Sequence, residues 1–139
     1  MIAAIRITGQ INLRKNIKET LYRLRLRRKY VCVVLDEKKV PQIKALEKIK
    51  DFIAFGEIDD KTFEKLIDKR GQPIDKKKKI DAKKAVEQLK KGKSYEEVGL
   101  KPFFRLHPAR GGIETKQHYP KGVLGNHKKD INKLIERML

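Results

Sequence analysis

The sequence predicts an α+β fold: a β-α-β-α-β unit over residues 1–58, with helices packed on a small sheet, then a mostly helical and extended segment over residues 59–139. Three observations predict it. Short apolar, β-branched runs alternate with stretches whose apolar residues recur at helical spacing through the first 58 residues. One of these runs, Tyr30 to Leu35, is unbroken, as expected for a strand covered on both faces. After Gly56 the strand-like runs give way to amphipathic helices, turns and loops.

Ile2 to Thr8 is apolar around a single Arg and reads as the first strand, followed by a turn over Gly9 to Leu13. Asn12 or Asn16 is placed to cap a helix reaching about Leu24. Ile17, Leu21 and Leu24 share one face of that helix, while Arg14, Lys18 and Arg25 fall together on another with Tyr22 beside them. A second helix is expected over Val40 to Phe52 with Ile43, Leu46 and Ile49 inward, and a third strand over Ile53 to Glu57. A helix opening at Asp59 or Asp60, where the carboxylates supply N-terminal charge and a cap, carries Phe63, Leu66 and Ile67 and stops at Gly71 and Pro73. Asp75 to Lys79 reads as a solvated connector whose lysines touch phosphate non-specifically, and Ala82 to Lys91 as a further amphipathic helix. Pro102 to Gly112 is extended and turn-rich, Gly111 to Asn126 a long loop with few core candidates, and Ile131, Leu134, Ile135 and Met138 form a terminal helical stripe.

The charge bounds the function. Among 139 residues, 36 Lys and Arg face 18 Asp and Glu, a formal net charge of +18 that calls for a polyanionic partner. Nucleic acid is the favoured one. A membrane surface fits poorly, because there is no Trp and the basic helix needs its apolar face for the sheet. No apolar run approaches the ~20 residues of a membrane span and no secretory h-region opens the chain, so a soluble, cytoplasmic protein is expected. The lone cysteine, Cys32, sits in an apolar run and reads as a buried strand residue; it excludes an internal disulfide and a multi-cysteine zinc site.

Eight basic residues and one acid lie between Arg14 and Lys29. A solvated helix face is the bland reading. The near-absence of balancing acids and the dominance of Arg, which binds phosphate bidentately and stacks on bases, favour contact with nucleic acid. The segment Phe103 to Gly112 (FFRLHPARGG) mixes aromatics, Arg, His, Pro and Gly; it suits either an irregular RNA surface or an ordinary loop packed on the core. His107, His118 and His127 lack metal-ligand spacing and read as surface residues, with base stacking or phosphate bonding as the functional alternative. No P-loop and no nucleophile with a base and an orienting partner is present, so an enzyme, a cofactor and a small-molecule substrate are not expected.

Arg14-Lys15, Thr20-Leu21 and Leu24 followed by Leu26-Arg27-Arg28, then Phe55-Gly56-Glu57-Ile58, resemble the pattern of the large-subunit ribosomal proteins called L-thirty in bacteria and L-seven in eukaryotes. Phe104 to Gly112 and Leu124 to Leu139 resemble the C-terminal extension of the longer archaeal and eukaryotic forms. The resemblance covers nearly the whole chain, leaving about Gln72 to Lys101 generic. Before the second helix the sequence departs from the family, with Lys39-Val40-Pro41 and Lys44-Ala45 where Thr-Pro and Gly-Met pairs are common.

The resemblance implies a three-stranded antiparallel sheet with helices on one face, the role of a structural constituent of the large ribosomal subunit, and partners in ribosomal RNA, near the 5S rRNA region, and in neighbouring ribosomal proteins. Carried over by position, the RNA-contacting residues are Asn12, Arg14, Lys15, Lys18, Arg25, Arg27, Arg28 and Lys29, with Arg105, His107, Arg110, Gly111 and Lys116 from the extension. The other readings are a general nucleic-acid-binding or chromatin protein, which would hold duplex DNA as tightly, and an RNA-processing enzyme, which would need a catalytic constellation.

Overall fold

Three antiparallel strands form the centre of the molecule. In the computed structural model, which describes residues 1–9, 11, 13–113, 117–119 and 121–139, β1 (Ile2–Arg6) lies between β2 (Val31–Leu35) and β3 (Ile53–Glu57). Ile2 faces Leu35 on one side and Glu57 on the other. Helices α1 (Lys15–Arg23) and α2 (Val40–Lys48) connect them. The extension contributes α3 (Asp60–Arg70), α4 (Ala82–Lys90), the single turn α5 (Tyr95–Val98), a 3₁₀ turn (Lys128–Asp130) and α6 (Ile131–Met138). It also adds two strands of two residues each. β4 (Phe104–Arg105) extends the sheet antiparallel to β2, and β5 (Gly125–Asn126) extends it parallel to β3.

The sheet divides the core into two layers, because alternate residues of a strand point to opposite faces. Ala4, Val31, Val33, Leu35, Ile53 and Phe55 meet Leu21 of α1, Leu46 of α2, and Leu24 and Ile49 at the C-caps of those helices. Ala3, Ile5, Cys32, Val34 and Ala54 meet Phe63, Leu66, Val86, Leu89, Leu134 and Ile135 from α3, α4 and α6. The expected helices on one face are thus α1 and α2, and the extension occupies the other face. All five residues of β2 are buried, as its unbroken apolar run predicts. Each large apolar side chain buried this way contributes about 1.5–3 kcal/mol.

Particular residues join the extension to the sheet. A Cβ at Gly56 would lie 2.2 Å from the Lys128 carbonyl oxygen and 3.0 Å from Ile131, so the bare glycine lets the start of α6 rest directly on β3. Asn132, buried on α6, accepts the Asp59 backbone N–H (2.8 Å) and donates to the carbonyls of Glu57 (3.2 Å) and Lys129 (2.8 Å). Phe104 packs edge-on against Phe63 and Tyr95. Tyr95 donates its hydroxyl to the Val34 carbonyl at 2.8 Å, satisfying β2 where β4 no longer runs alongside.

Several expectations are corrected. Asn16 lies inside α1, whose N-cap is Arg14, and Asn12 lies outside the described residues. α2 ends at Lys48, so Phe52 belongs to the turn before β3, where its carbonyl accepts the N–H groups of Ile7 and Thr8. Asp59 makes no side-chain cap; the neighbouring Asp60 pairs with Lys90 of α4. The stretch read as a loop poor in core residues buries Val123, Leu124 and Gly125 and supplies β5. His127 is no surface residue: it is buried, stacks on Tyr119 at 4.7 Å and bonds the Val123 carbonyl.

Candidate nucleic-acid interface

The basic surface begins on α1. Arg14, Lys18 and Tyr22 succeed one another at four-residue spacing along one exposed ridge, with Lys15 beside them, while Leu21 is buried behind. After Arg23 the helix closes in a Schellman turn. The Leu26 N–H bonds the Leu21 carbonyl (2.9 Å) and the Arg25 N–H bonds the Tyr22 carbonyl (3.0 Å). Leu21 and Leu26 are buried in the same layer, the hydrophobic contact that accompanies this motif. The position that favours glycine here holds Arg25, at φ +63°. Arg25 therefore stands on a turn beyond the helix and does not share the helical face with Arg14 and Lys18 that its spacing suggested.

From Leu24 to Tyr30 the chain forms an arginine loop. Leu24 and Leu26 are buried, while Arg25, Arg27, Arg28 and Lys29 are exposed. Tyr30, at φ +66°, turns the chain into β2. Beneath the loop lies Arg6, the charged residue at the end of β1, only 4 % exposed. Its guanidinium donates to the carbonyls of Leu26 (2.8 Å), Thr8 (2.9 Å) and Gly9 (3.2 Å). Burial lowers its pKa from the usual arginine value, but a guanidinium remains charged at neutral pH. Arg6 thus fixes the loop backbone and adds a cation held by three carbonyl dipoles.

Aromatic rings support the exposed cations. Arg27 lies over Tyr22 at 4.2 Å, Lys29 over Tyr30 at 5.0 Å, and Arg105 over Phe103 at 5.7 Å. The β2–β4 pairing sets Arg105 opposite Val31, so it joins the loop from far along the chain. Arg25, Arg27, Arg28 and Arg105 surround a cleft of about 180 Å³ lined also by Val31 and Phe103. A second concavity, between Arg6, Lys18, Tyr22 and Arg27, links this cleft to the ridge of α1. Among the described residues, no ion pair engages Arg14, Lys15, Lys18, Arg25, Arg28, Lys29 or Arg105.

Of the other residues singled out from sequence, His107, Arg110 and Gly111 do not line this cleft. His107 is exposed, its backbone N–H bonded to the Met138 carbonyl at 2.9 Å. Arg110 is exposed at a turn gripped by Arg137, whose guanidinium donates to the carbonyls of Arg110 (3.1 and 2.9 Å) and Gly112 (2.6 Å). Gly111, at φ +80°, lets this turn form. Lys116, like Asn12, lies outside the described residues. Two contributors, Arg6 and Arg137, escape the sequence reading, and Phe103 enters it only within the segment Phe103 to Gly112. Arg6 leaves a usable signal, a lone charge in an apolar strand; Phe103 becomes informative only once β4 pairs with β2, and Arg137 is indistinguishable from other exposed bases.

This arrangement suits polyanion binding. Among the described residues no group of three His, Cys, Asp or Glu could hold a metal ion. Burial pushes the Cys32 thiol up to about 12, so it stays protonated and is a poor nucleophile at neutral pH. No helix among the described residues is long and apolar enough to cross a membrane.

Fold and surface together define a small α+β protein that carries clustered, exposed guanidinium groups. The sequence pattern of the family described as ribosomal protein L30p/L7e matches residues 2–53. The large ribosomal subunit protein uL30 of Archaeoglobus fulgidus is 36 % identical over 158 aligned positions, covering 99 % of each chain. That of Methanosphaera stadtmanae is 36 % identical over the whole of both chains, and that of Nanoarchaeum equitans 35 % identical over 100 % of this chain and 99 % of its own. The chain belongs to the L30p/L7e family of ribosomal proteins. It is a structural, non-enzymatic constituent of the cytoplasmic ribosome.

Proposed function

We propose that the chain is built into the large ribosomal subunit by binding ribosomal RNA, near the 5S rRNA, through the arginine loop and the ridge of α1. The observation that carries this reading is the convergence of Arg25, Arg27, Arg28 and Arg105 on one cleft that, among the described residues, no carboxylate lines. Arg14, Lys15 and Lys18 continue the surface along α1, and Lys29 borders it. Asn12, His107, Arg110, Gly111 and Lys116 are assigned to RNA on family resemblance. Residues 1–58 form the RNA-binding core domain, and residues 59–139 an extension that holds the core rigid and adds its own contacts. The 5S address also comes from the resemblance.

The mechanism is scaffolding. Lys and Arg neutralise phosphates where RNA segments approach, and the released counterions drive association. Each phosphate contact steepens the salt dependence by roughly 0.7–0.9 logarithmic units. The test is binding of the purified chain to deproteinised large-subunit and 5S rRNA across a salt series. Arg14→Ala with Arg27→Ala is expected to weaken binding and flatten the slope by roughly 1.4–1.8. An unchanged slope sinks the assignment of those residues, and equal affinity for duplex DNA turns the reading to a general nucleic-acid or chromatin protein. Protection of large-subunit rRNA without 5S rRNA removes the 5S address alone.

A further inference from the structure

We infer that the cleft between the arginine loop and β4 receives one unpaired nucleobase, so that the chain selects RNA with a bulged or looped-out nucleotide over an uninterrupted duplex. The inference rests on the RNA-binding reading above and names the feature of RNA that this surface takes.

The size of the cleft points to a single planar ring system. About 180 Å³ is well below the several hundred cubic ångströms of a drug-sized ligand site. A duplex backbone is convex and cannot enter it. The walls say what would. Phosphate alone needs cations and gains nothing from an apolar wall, yet Phe103 and Val31 line the cleft alongside the four guanidinium groups. A nucleobase uses both kinds of wall: its face stacks on an aromatic ring or a guanidinium plane, and its edge accepts hydrogen bonds from arginine forks. Phosphates on either side of an extruded base would lie within reach of the rim. Among the described residues, three larger clefts contain carboxylates: Asp36 and Glu96, Glu57 and Asp130, or Asp75 and Asp81, whereas the neighbouring concavity of Arg6, Lys18, Tyr22 and Arg27 continues the carboxylate-free surface. The arginine cleft has none.

The cleft is also formed in advance of any ligand. The Schellman turn places Arg25, the Arg6 guanidinium holds the Leu26 carbonyl, and the pairing of Val31 with Arg105 brings the opposite wall into position. Phe103 is half-buried and packs against the layer beneath α1, so its ring cannot swing away freely. A pre-ordered aromatic wall is what stacking on a sequence-tolerant base requires.

The experiment compares two labelled RNA hairpins, identical except that one carries a single unpaired adenosine in its stem, by fluorescence anisotropy with the full chain at fixed salt. Wild-type protein is expected to bind the bulged hairpin about ten-fold more tightly. Phe103→Leu, which keeps an apolar side chain against the core, is expected to abolish that preference by lowering affinity for the bulged hairpin more than for the flush one; Phe103→Tyr is expected to retain it. Circular dichroism of each variant confirms the fold. Equal affinity of wild type for the two hairpins overturns the base pocket but leaves RNA binding standing. So does an equal loss on both hairpins in a folded Phe103→Leu protein. Failure to bind either hairpin overturns the RNA reading and the pocket together.

Discussion

Replacing Arg25 by glycine should make the protein more stable and a poorer RNA binder. Arg25 occupies the left-handed position that ends α1, at φ +63°, where its Cβ crowds the backbone. Holding a non-glycine residue there costs about 1–2 kcal/mol. Glycine relieves that strain but loses about 0.5–1 kcal/mol more backbone entropy on folding. The difference is a net stabilisation of about 0–1.5 kcal/mol, with both hydrogen bonds of the Schellman turn retained. Urea denaturation should show it as a higher midpoint at unchanged slope. Because Arg25 is exposed and forms part of the cleft wall, the same substitution should weaken RNA binding several-fold. Arg25→Ala separates the two effects: it keeps the strained backbone and removes the guanidinium, so the midpoint should stay near wild type while binding falls. A lower midpoint for Arg25→Gly would refute the strain argument, because it would mean that the arginine side chain stabilises the turn. Unchanged RNA affinity in both variants would remove Arg25 from the interface.

Three further outcomes follow from the packing of the extension. Gly56→Ala inserts a methyl group 2.2 Å from the Lys128 carbonyl oxygen and should destabilise the fold by about 1–3 kcal/mol, read as a lowered urea midpoint. Asn132→Leu leaves the Asp59 N–H and the Glu57 carbonyl without their side-chain partner and should cost about 1–3 kcal/mol per stranded group, with faster amide exchange at Asp59 as the local signature. His127 has its pKa lowered below 6.5 by burial, partly opposed by its bond to the Val123 carbonyl and by Asp130. The unfolded chain therefore takes up the proton first, so this contribution to stability is full above pH ~6.5 and is lost as the pH falls through the folded value. His127→Gln should flatten the acid limb of a stability-against-pH curve; an unaltered limb would assign it to other groups.

Much of the central sheet is legible in sequence because burial on two faces leaves a dense signal. Val31, Val33 and Leu35 serve one layer while Cys32 and Val34 serve the other, and no polar residue interrupts them. The stripe from Ile131 to Met138 is equally plain. β4 and β5 are not legible, since two residues carry no period and their pairing is a tertiary event. The end of α1 misleads for a different reason. Helix termination normally shows as glycine, and here an arginine takes that position, so helical spacing extends onto a residue that has left the helix. The basic run itself identifies the surface, because excess arginine without acids is a compositional fact. Its completion by Phe103 and Arg105, and its support by buried Arg6, depend on contacts between residues distant in sequence.

The two-residue pairing of β4 with β2 also sets a timetable. Arg28 and Arg105 are 77 positions apart. At about 5–20 residues per second, roughly 4–15 s of synthesis separate the emergence of one wall of the cleft from that of the other. During that interval the nascent chain carries the loop without its counterpart, and it acquires the complete surface only as the extension folds back onto the sheet. Chains halted before and after Arg105 would reveal the delay as a step in their discrimination between bulged and flush RNA, and an unchanging discrimination would show that the loop alone suffices.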